Sequence, residues 1–132
     1  MTIPTASDRI VVDSSGWVEY LGGGPKASSF AEYFESQTTT NYLPSIVVYE
    51  VHKKLYRESG SSVANIFVSA AFNYGDRLIP LSLEISLAAS KISIPDKLSM
   101  ADAIIYATAK RLNARLVTSD TDFQNLPDVT IL

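Results

Sequence analysis

Short apolar runs alternate with helix-length amphipathic segments along this chain, and that alternation confines it to one class of fold. Arg9–Asp13, Arg77–Leu81, Arg115–Ser119 and Val129–Leu132 read as strands, and Tyr42-Leu43-Pro44 adds a brief one that its proline ends. Between them lie segments with helical spacing. Ser14 and Ser15 are placed to cap a helix with Trp17, Val18 and Leu21 inward, and Gly22-Gly23-Gly24-Pro25 stops it. A second helix runs from about Lys26 to Glu35 on a Phe30/Tyr33/Phe34 stripe, and Ser36–Asn41 is a loop. Ser45 is expected to cap a third, with Val48, Val51 and Leu55 inward, which Gly60 closes. Ser62–Asn73 forms a fourth, with Val63, Ile66, Phe67 and Ala70 inward. Ser82 caps a fifth carrying Ile85, Ala88, Ala89 and Ile92, and Ser99 opens an alanine-rich sixth through about Asn113. Strands alternating with helices of about 10–15 residues build an α/β sandwich with a mainly parallel central sheet flanked by helices.

A length of 132 residues suits a single domain with a sizeable core, and no repeat or internal boundary interrupts it. The domain is expected to span residues 9–132, with Met1–Asp8 as a flexible N-terminal arm. Cysteine is absent, which excludes disulfides, thiolate catalysis and thiol-ligated zinc. With one histidine, His52, no mechanism that needs two imidazoles is available. No apolar run reaches the ~18 residues of a membrane span, and the N-terminus lacks a signal-peptide layout. No membrane association and a cytoplasmic location are therefore expected.

Eleven basic residues against fourteen acidic ones leave a net charge of −3, which at first sight disfavours nucleic acid as a partner. The placement of the acids changes that inference. In parallel α/β sheets, ligands sit beyond the carboxyl ends of the strands, where helix N-termini also point. Asp13 ends the first strand and Asp120 follows the Arg115–Ser119 strand; Glu50 and Asp102 lie early in the helices after Ser45 and Ser99. Four acids from four distant segments are thus expected on one rim, with Asp122 beside them. Setting these five aside leaves nine acids against eleven bases elsewhere.

Each acid also has a local explanation. Asp13 suits a helix cap, Glu50 can pair with Lys53 or Lys54 on a solvated face, Asp102 sits in a capping box with Ser99, and Asp120-Thr121-Asp122 suits a polar turn. Their convergence is what carries chemistry. Two close carboxylates repel by roughly 3–4 kcal/mol at an effective dielectric of about 20, so such a group must take up protons, spread apart or hold a cation. An all-oxygen site suits Mg²⁺ or Mn²⁺, and such an ion activates water and screens a phosphodiester under attack. His52, two positions from Glu50, falls toward the far side of its helix.

The blocks Ile10-Val11-Val12-Asp13-Ser14-Ser15, Val48-Tyr49-Glu50-Val51, Ala101-Asp102-Ala103-Ile104-Ile105 and Val117-Thr118-Ser119-Asp120-Thr121-Asp122-Phe123 follow one another in this order. So ordered, they resemble the four acidic motifs of PIN-domain ribonucleases, most closely the VapC toxins of VapBC toxin–antitoxin pairs. The resemblance extends from about Arg9 to Leu132, including Pro44-Ser45-Ile46 and Leu126-Pro127-Asp128-Val129. It implies a PIN-like three-layer sandwich and a type II toxin that cleaves RNA endonucleolytically, often tRNA or ribosomal RNA, with Mg²⁺ or Mn²⁺. It further implies Asp13, Glu50, Asp102 and Asp120 as the catalytic metal-binding quartet, Asp122 as a fifth metal-binding acid, and Ser15 and Thr118 as supporting hydroxyls. A VapB antitoxin as partner and a homodimer are implied as well. The sequence departs from the family pattern in having Met1–Asp8 ahead of the first strand.

Lys53, Lys54 and Arg57 along the Glu50 helix are candidates for RNA binding, and Lys110, Arg111 and Arg115 form a second basic group. Solvated helix faces and dipole-favoured C-terminal cations explain both groups equally well. The glycine run has no Gly-Lys-Ser/Thr sequel, so it is no P-loop. Phe30, Tyr33 and Phe34 suit core packing, and the same stripe is the place where an antitoxin would be expected to dock. An alternative keeps the PIN fold as a catalytically inactive RNA- or metal-binding module. A phospho-acceptor receiver domain fits poorly, lacking paired acids after the first strand and a lysine after the last; a haloacid-type phosphatase needs an acid where Ser15 stands.

Overall fold

The structure, a computed structural model, describes residues 8–132; the expected N-terminal arm, Asp8 apart, lies outside the described residues. Five strands form one sheet: β1 (Arg9–Val12), β2 (Thr40–Pro44), β3 (Leu78–Ile79), β4 (Arg115–Thr118) and β5 (Val129–Ile131). Their order is β3-β2-β1-β4-β5, and each neighbouring pair is parallel. The helices are α1 (Ser14–Gly22), α2 (Ala27–Phe34), α3 (Ser45–Ser59), α4 (Ser61–Phe72), α5 (Leu83–Ser93) and α6 (Met100–Arg111). Helices α1 to α4 pack on one another in sequence neighbourhoods, and α5 packs along α6. With right-handed crossovers, a chain that moves outward from β1 to β3 and then crosses back to β4 puts these two groups on opposite faces. The sheet is thus parallel throughout, as an α/β sandwich requires.

The strand order reverses between β1 and β4, the place where such sheets bind ligands. Val11 and Val12 of β1, Leu116 and Val117 of β4 and Leu43 of β2 are wholly buried beneath this point. Gly16 lets the first turn of α1 settle onto β1: a Cβ there would strike the Val12 side chain and come within 2.6 Å of the Phe30 ring.

Several boundaries and faces differ from the sequence expectation. Ladder pairing of Arg9 with Thr40 and Ile10 with Asn41 extends β2 into the polar stretch expected to be loop. Leu78–Ile79 alone pairs in β3, because Pro80 has no N–H to continue the ladder. Ser45 is the first residue of α3 and caps nothing. The buried stripe of α3 is Val47, Val51 and Leu55, at i, i+4 and i+8, while Val48 is only half-buried. On α4 the buried residues are Ala64, Phe67 and Ala71, and Ile66 points outward at 64% exposure. Ala88 of α5 is also exposed. Apolar residues outnumber the inward positions on these short helices, so periodicity alone picks the wrong neighbour. Phe30 is fully buried and Phe34, half-buried, packs on Trp17 at 4.5 Å and on Tyr20 at 4.6 Å, so the α2 stripe packs against the core, with Tyr33 and Phe34 keeping part of their surface exposed.

Candidate functional site

Asp13 follows β1 and is the N-cap of α1, its Oδ1 accepting from the Gly16 N–H at 3.3 Å. The cap explanation and the site explanation thus fall on the same carboxylate. Two hydroxyls hold it further. Ser15 Oγ donates to Oδ1 at 2.6 Å and Thr118 Oγ1 donates to Oδ2 at 2.7 Å. Each hydroxyl is itself oriented by a backbone amide: the Ser119 N–H donates to Ser15 Oγ at 3.2 Å, and the Asp120 N–H to Thr118 Oγ1 at 2.9 Å. With their lone pairs so engaged, both hydroxyl protons turn to the carboxylate. This network staples the ends of β1 and β4 across the switch point.

Asp102 lies in the first turn of α6, whose N-cap Ser99 accepts from the Asp102 N–H at 3.3 Å. Asp120 caps the short 3-10 turn Thr121–Phe123 by accepting from the Asp122 N–H at 2.9 Å. Asp102, Asp120 and Asp122 each place a carboxylate oxygen within 4.8 Å of the others, an arrangement able to hold a metal ion. Glu50, on α3, buries its Oε1 with no hydrogen-bond partner among the described residues. A buried polar atom left unpaired is costly, and this one belongs to a group that attracts cations.

The electrostatics tie the four segments together. Burial first, then the charge of Asp120 and those of Asp13 and Glu50, push Asp102 up to about 6 against the lowering effect of Ser99. Burial also raises Asp13, offset in part by the hydrogen bonds from Ser15, Thr118 and Gly16, with Asp120 raising it again. Asp13, Glu50, Asp102 and Asp120 therefore share one electrostatic site, and Asp122 joins it through Asp102 and Asp120.

The basic residues divide. A cleft of about 420 Å³ is lined by Ser14, Ser15, Val18, Glu19, Tyr49, Glu50, Lys53, Lys54, Arg57 and Ser119, so the α3 cations open directly onto Glu50. Lys110 and Arg111 occupy the last turn of α6 and Arg115 begins β4, at the opposite end of the molecule from Asp102. His52 is half-buried and stacks on Tyr56 at 5.9 Å. Sequence reasoning passed over Tyr49 and Ser119; Tyr49 was marked by being an aromatic residue beside an acid on a helix face too polar to be core.

A parallel α/β sandwich with acids gathered at its switch point is an architecture suited to holding a divalent cation. The PIN domain family model matches residues 10–129, and the chain belongs to that family. Among solved structures it is similar to a toxin–antitoxin complex from Klebsiella pneumoniae, with a TM-score of 0.73 and 23% identity over 92% of this chain and 95% of that one. It is also similar to VapC20 of Mycobacterium tuberculosis, described as a sarcin-ricin-loop-cleaving toxin, with a TM-score of 0.74 and 20% identity over 91% and 96%. FitAcB from Neisseria gonorrhoeae aligns with a TM-score of 0.72 and 21% identity over 93% and 96%. At these identities the likeness speaks to the fold. A search of curated proteins found no match.

Proposed function

We propose that this chain is the toxin of a type II toxin–antitoxin pair, an endoribonuclease that depends on Mg²⁺ or Mn²⁺. The observation that carries the proposal is the convergence of Asp13, Glu50, Asp102 and Asp120 from four elements on the switch point, where burial first and then the neighbouring acids push Asp102 up to about 6. The donor set suits a hard divalent cation: all oxygens, three of them mutually within 4.8 Å, and a buried Glu50 oxygen awaiting a partner. Asp13, Glu50, Asp102 and Asp120 would hold the ion, with Asp122 supporting it. Bound there, such an ion supplies water of lowered pKa and screens the phosphodiester charge.

The chain's own contribution is orientation. Ser15 and Thr118 fix both oxygens of Asp13, and the amides of Ser119 and Asp120 fix the hydroxyls. Asp102, ionised above about pH 6, keeps the pocket negative enough to favour a cation over a bare phosphate. Lys53, Lys54 and Arg57, on the cleft wall beside Glu50, offset that field for an approaching RNA. The substrate class, tRNA or ribosomal RNA, follows the family expectation and agrees with the M. tuberculosis neighbour, a toxin that cleaves the sarcin-ricin loop.

An antitoxin of the VapB kind is the proposed partner, supported by neighbours that are themselves toxin–antitoxin complexes. It would place a guanidinium in the acidic pocket, where one arginine satisfies two carboxylates. Pairing of two copies is supported by exposed Leu83 and Leu87, one turn apart on α5, with Ile94 beyond its end. No helix among the described residues is long and apolar enough to cross a membrane, in keeping with a proposed cytoplasmic role.

The test is to incubate the purified protein with total RNA plus Mn²⁺ or plus chelator and to map new 5′ ends. Discrete cuts with Mn²⁺ alone are expected. RNA retention without cuts would replace the enzyme with an inactive binding module.

A further inference from the structure

The cleft beside the acids has two unlike walls. On the α1 side stand Ser14, Ser15, Val18 and Glu19, and the Glu19 carboxylate is turned to the chain itself, accepting from the Lys26 N–H at 3.1 Å. On the α3 side stand Tyr49, Glu50, Lys53, Lys54 and Arg57. Among the described residues neither Lys53 nor Lys54 has an ion-pair partner, and Arg57 meets only the exposed Glu58 at 3.8 Å. Tyr49 is 61% exposed and bears the Lys53 ammonium over its ring at 5.6 Å. A large aromatic face left in water, next to unpaired cations and one residue before a site acid, has no core role to explain it.

We infer that this wall is a track for single-stranded RNA, in which Tyr49 stacks a base and Lys53, Lys54 and Arg57 hold the phosphates of the nucleotides on one flank of the scissile bond. The inference rests on the proposed nuclease role for the identity of the ligand. Lys53 and Arg57 are four residues apart, so their positions advance by about 6 Å along α3, commensurate with successive phosphates of a strand. From Glu50 to Arg57 the helix advances about 10 Å, room for two nucleotides. The Lys110, Arg111 and Arg115 group sits at the far end of α6 from Asp102, away from this wall. A base stacked on Tyr49 must be unpaired, because both faces of a base in a duplex are already covered. Stacking is tolerant of base identity, so the track selects strandedness and not sequence.

The experiment measures binding of a fluorescein-labelled single-stranded RNA dodecamer, and of the same strand in a duplex, to the full chain in chelator by fluorescence anisotropy. Tyr49→Ala is expected to weaken single-strand binding by about 5- to 150-fold, and Tyr49→Phe, which keeps the ring, by no more than roughly twofold. Replacing Lys53, Lys54 and Arg57 by alanine together is expected to flatten the slope of log affinity against log salt by about 2. Circular dichroism confirms folding of each variant, all four positions being exposed. Equal affinity for the duplex, an unaltered Tyr49→Ala, or an unaltered salt slope would each overturn the track. Since binding is read without metal, a wild-type chain that binds as described but cuts no RNA with Mn²⁺ would remove the nuclease proposal and leave the track standing.

Discussion

The two rims of the sheet carry opposite charges and treat them in opposite ways. Where strands begin, Arg9 donates to the Leu112 carbonyl at 3.2 Å, Arg77 donates to the Asn41 carbonyl at 2.8 Å and covers the Tyr74 ring at 4.3 Å, and Arg115 meets Asp128 at 4.0 Å. Where strands end, Asp102 is raised to about 6 by burial and by its acidic neighbours, and Glu50 keeps a buried oxygen without a partner. A parallel sheet produces this segregation, because all strands point one way and the helices return the other. Helix N-termini, with their positive ends, therefore meet the carboxyl edge of the sheet, and helix C-termini meet the amino edge. The cations at one rim close the fold with local partners. The acids at the other crowd one another, and Glu50 among them keeps an unpaired buried oxygen, which marks that rim as the place for a ligand.

Breaking the acidic rim should produce the largest effect. Asp13→Asn is expected to abolish metal-dependent RNA cleavage while the melting temperature in chelator holds or rises, since it removes a carboxylate whose ionised form burial disfavours. An active Asp13→Asn protein in the 5′-end mapping assay would remove Asp13 from the site. Thr118→Val deletes a hydroxyl that donates to Asp13 and accepts from the Asp120 N–H, so it loosens two of the acids at once without removing a carboxylate. Its expected effect is a loss of about 10- to 100-fold in metal affinity, measured by Mn²⁺ titration. The amino rim offers the contrast. Arg77→Met should lower stability by about 1.5–3 kcal/mol in urea melts, through loss of a charged hydrogen bond to the Asn41 carbonyl, and leave cleavage per folded molecule unchanged.

The smallest effect is a pH dependence that sharpens the comparison. Asp102 is raised from 3.8 to about 6 in the folded chain, so between those values the folded state binds more protons than the unfolded one. Unfolding free energy must then fall as pH rises through that window, with the destabilisation complete above it. In chelator the melting temperature should climb as pH is lowered from 7 to 5. Saturating Mg²⁺ at pH 7 should recover much of the difference; equal melting curves with and without the ion would argue against a cation at this rim.

Much of this was legible along the chain. The strand–helix alternation, the Ser82 and Ser99 caps and the fate of Asp13, Glu50, Asp102 and Asp120 at one edge follow from local signals and the directionality of parallel sheets. Less legible were the faces of α3 and α4, where Val47 displaced Val48 and Ala71 displaced Ala70 as the most buried positions, because apolar residues occupy both candidates. The dual role of Asp13 as cap and site residue was also hidden, since the two explanations look like rivals along the chain, although one carboxylate has oxygens enough for both.

By itself, the order of residues determined which segments become strands and helices, that the sheet is parallel, and that acids from four segments end at its carboxyl edge. Only tertiary structure decided how near those acids come, which hydroxyls hold them, and that Lys53, Lys54 and Arg57 open onto the site while Lys110 and Arg111 do not. The physical reason is range. Secondary structure and chain direction are set by neighbours a few residues away, whereas the contact between Asp13 and Thr118 spans 105 residues and exists only once the core beneath them has packed.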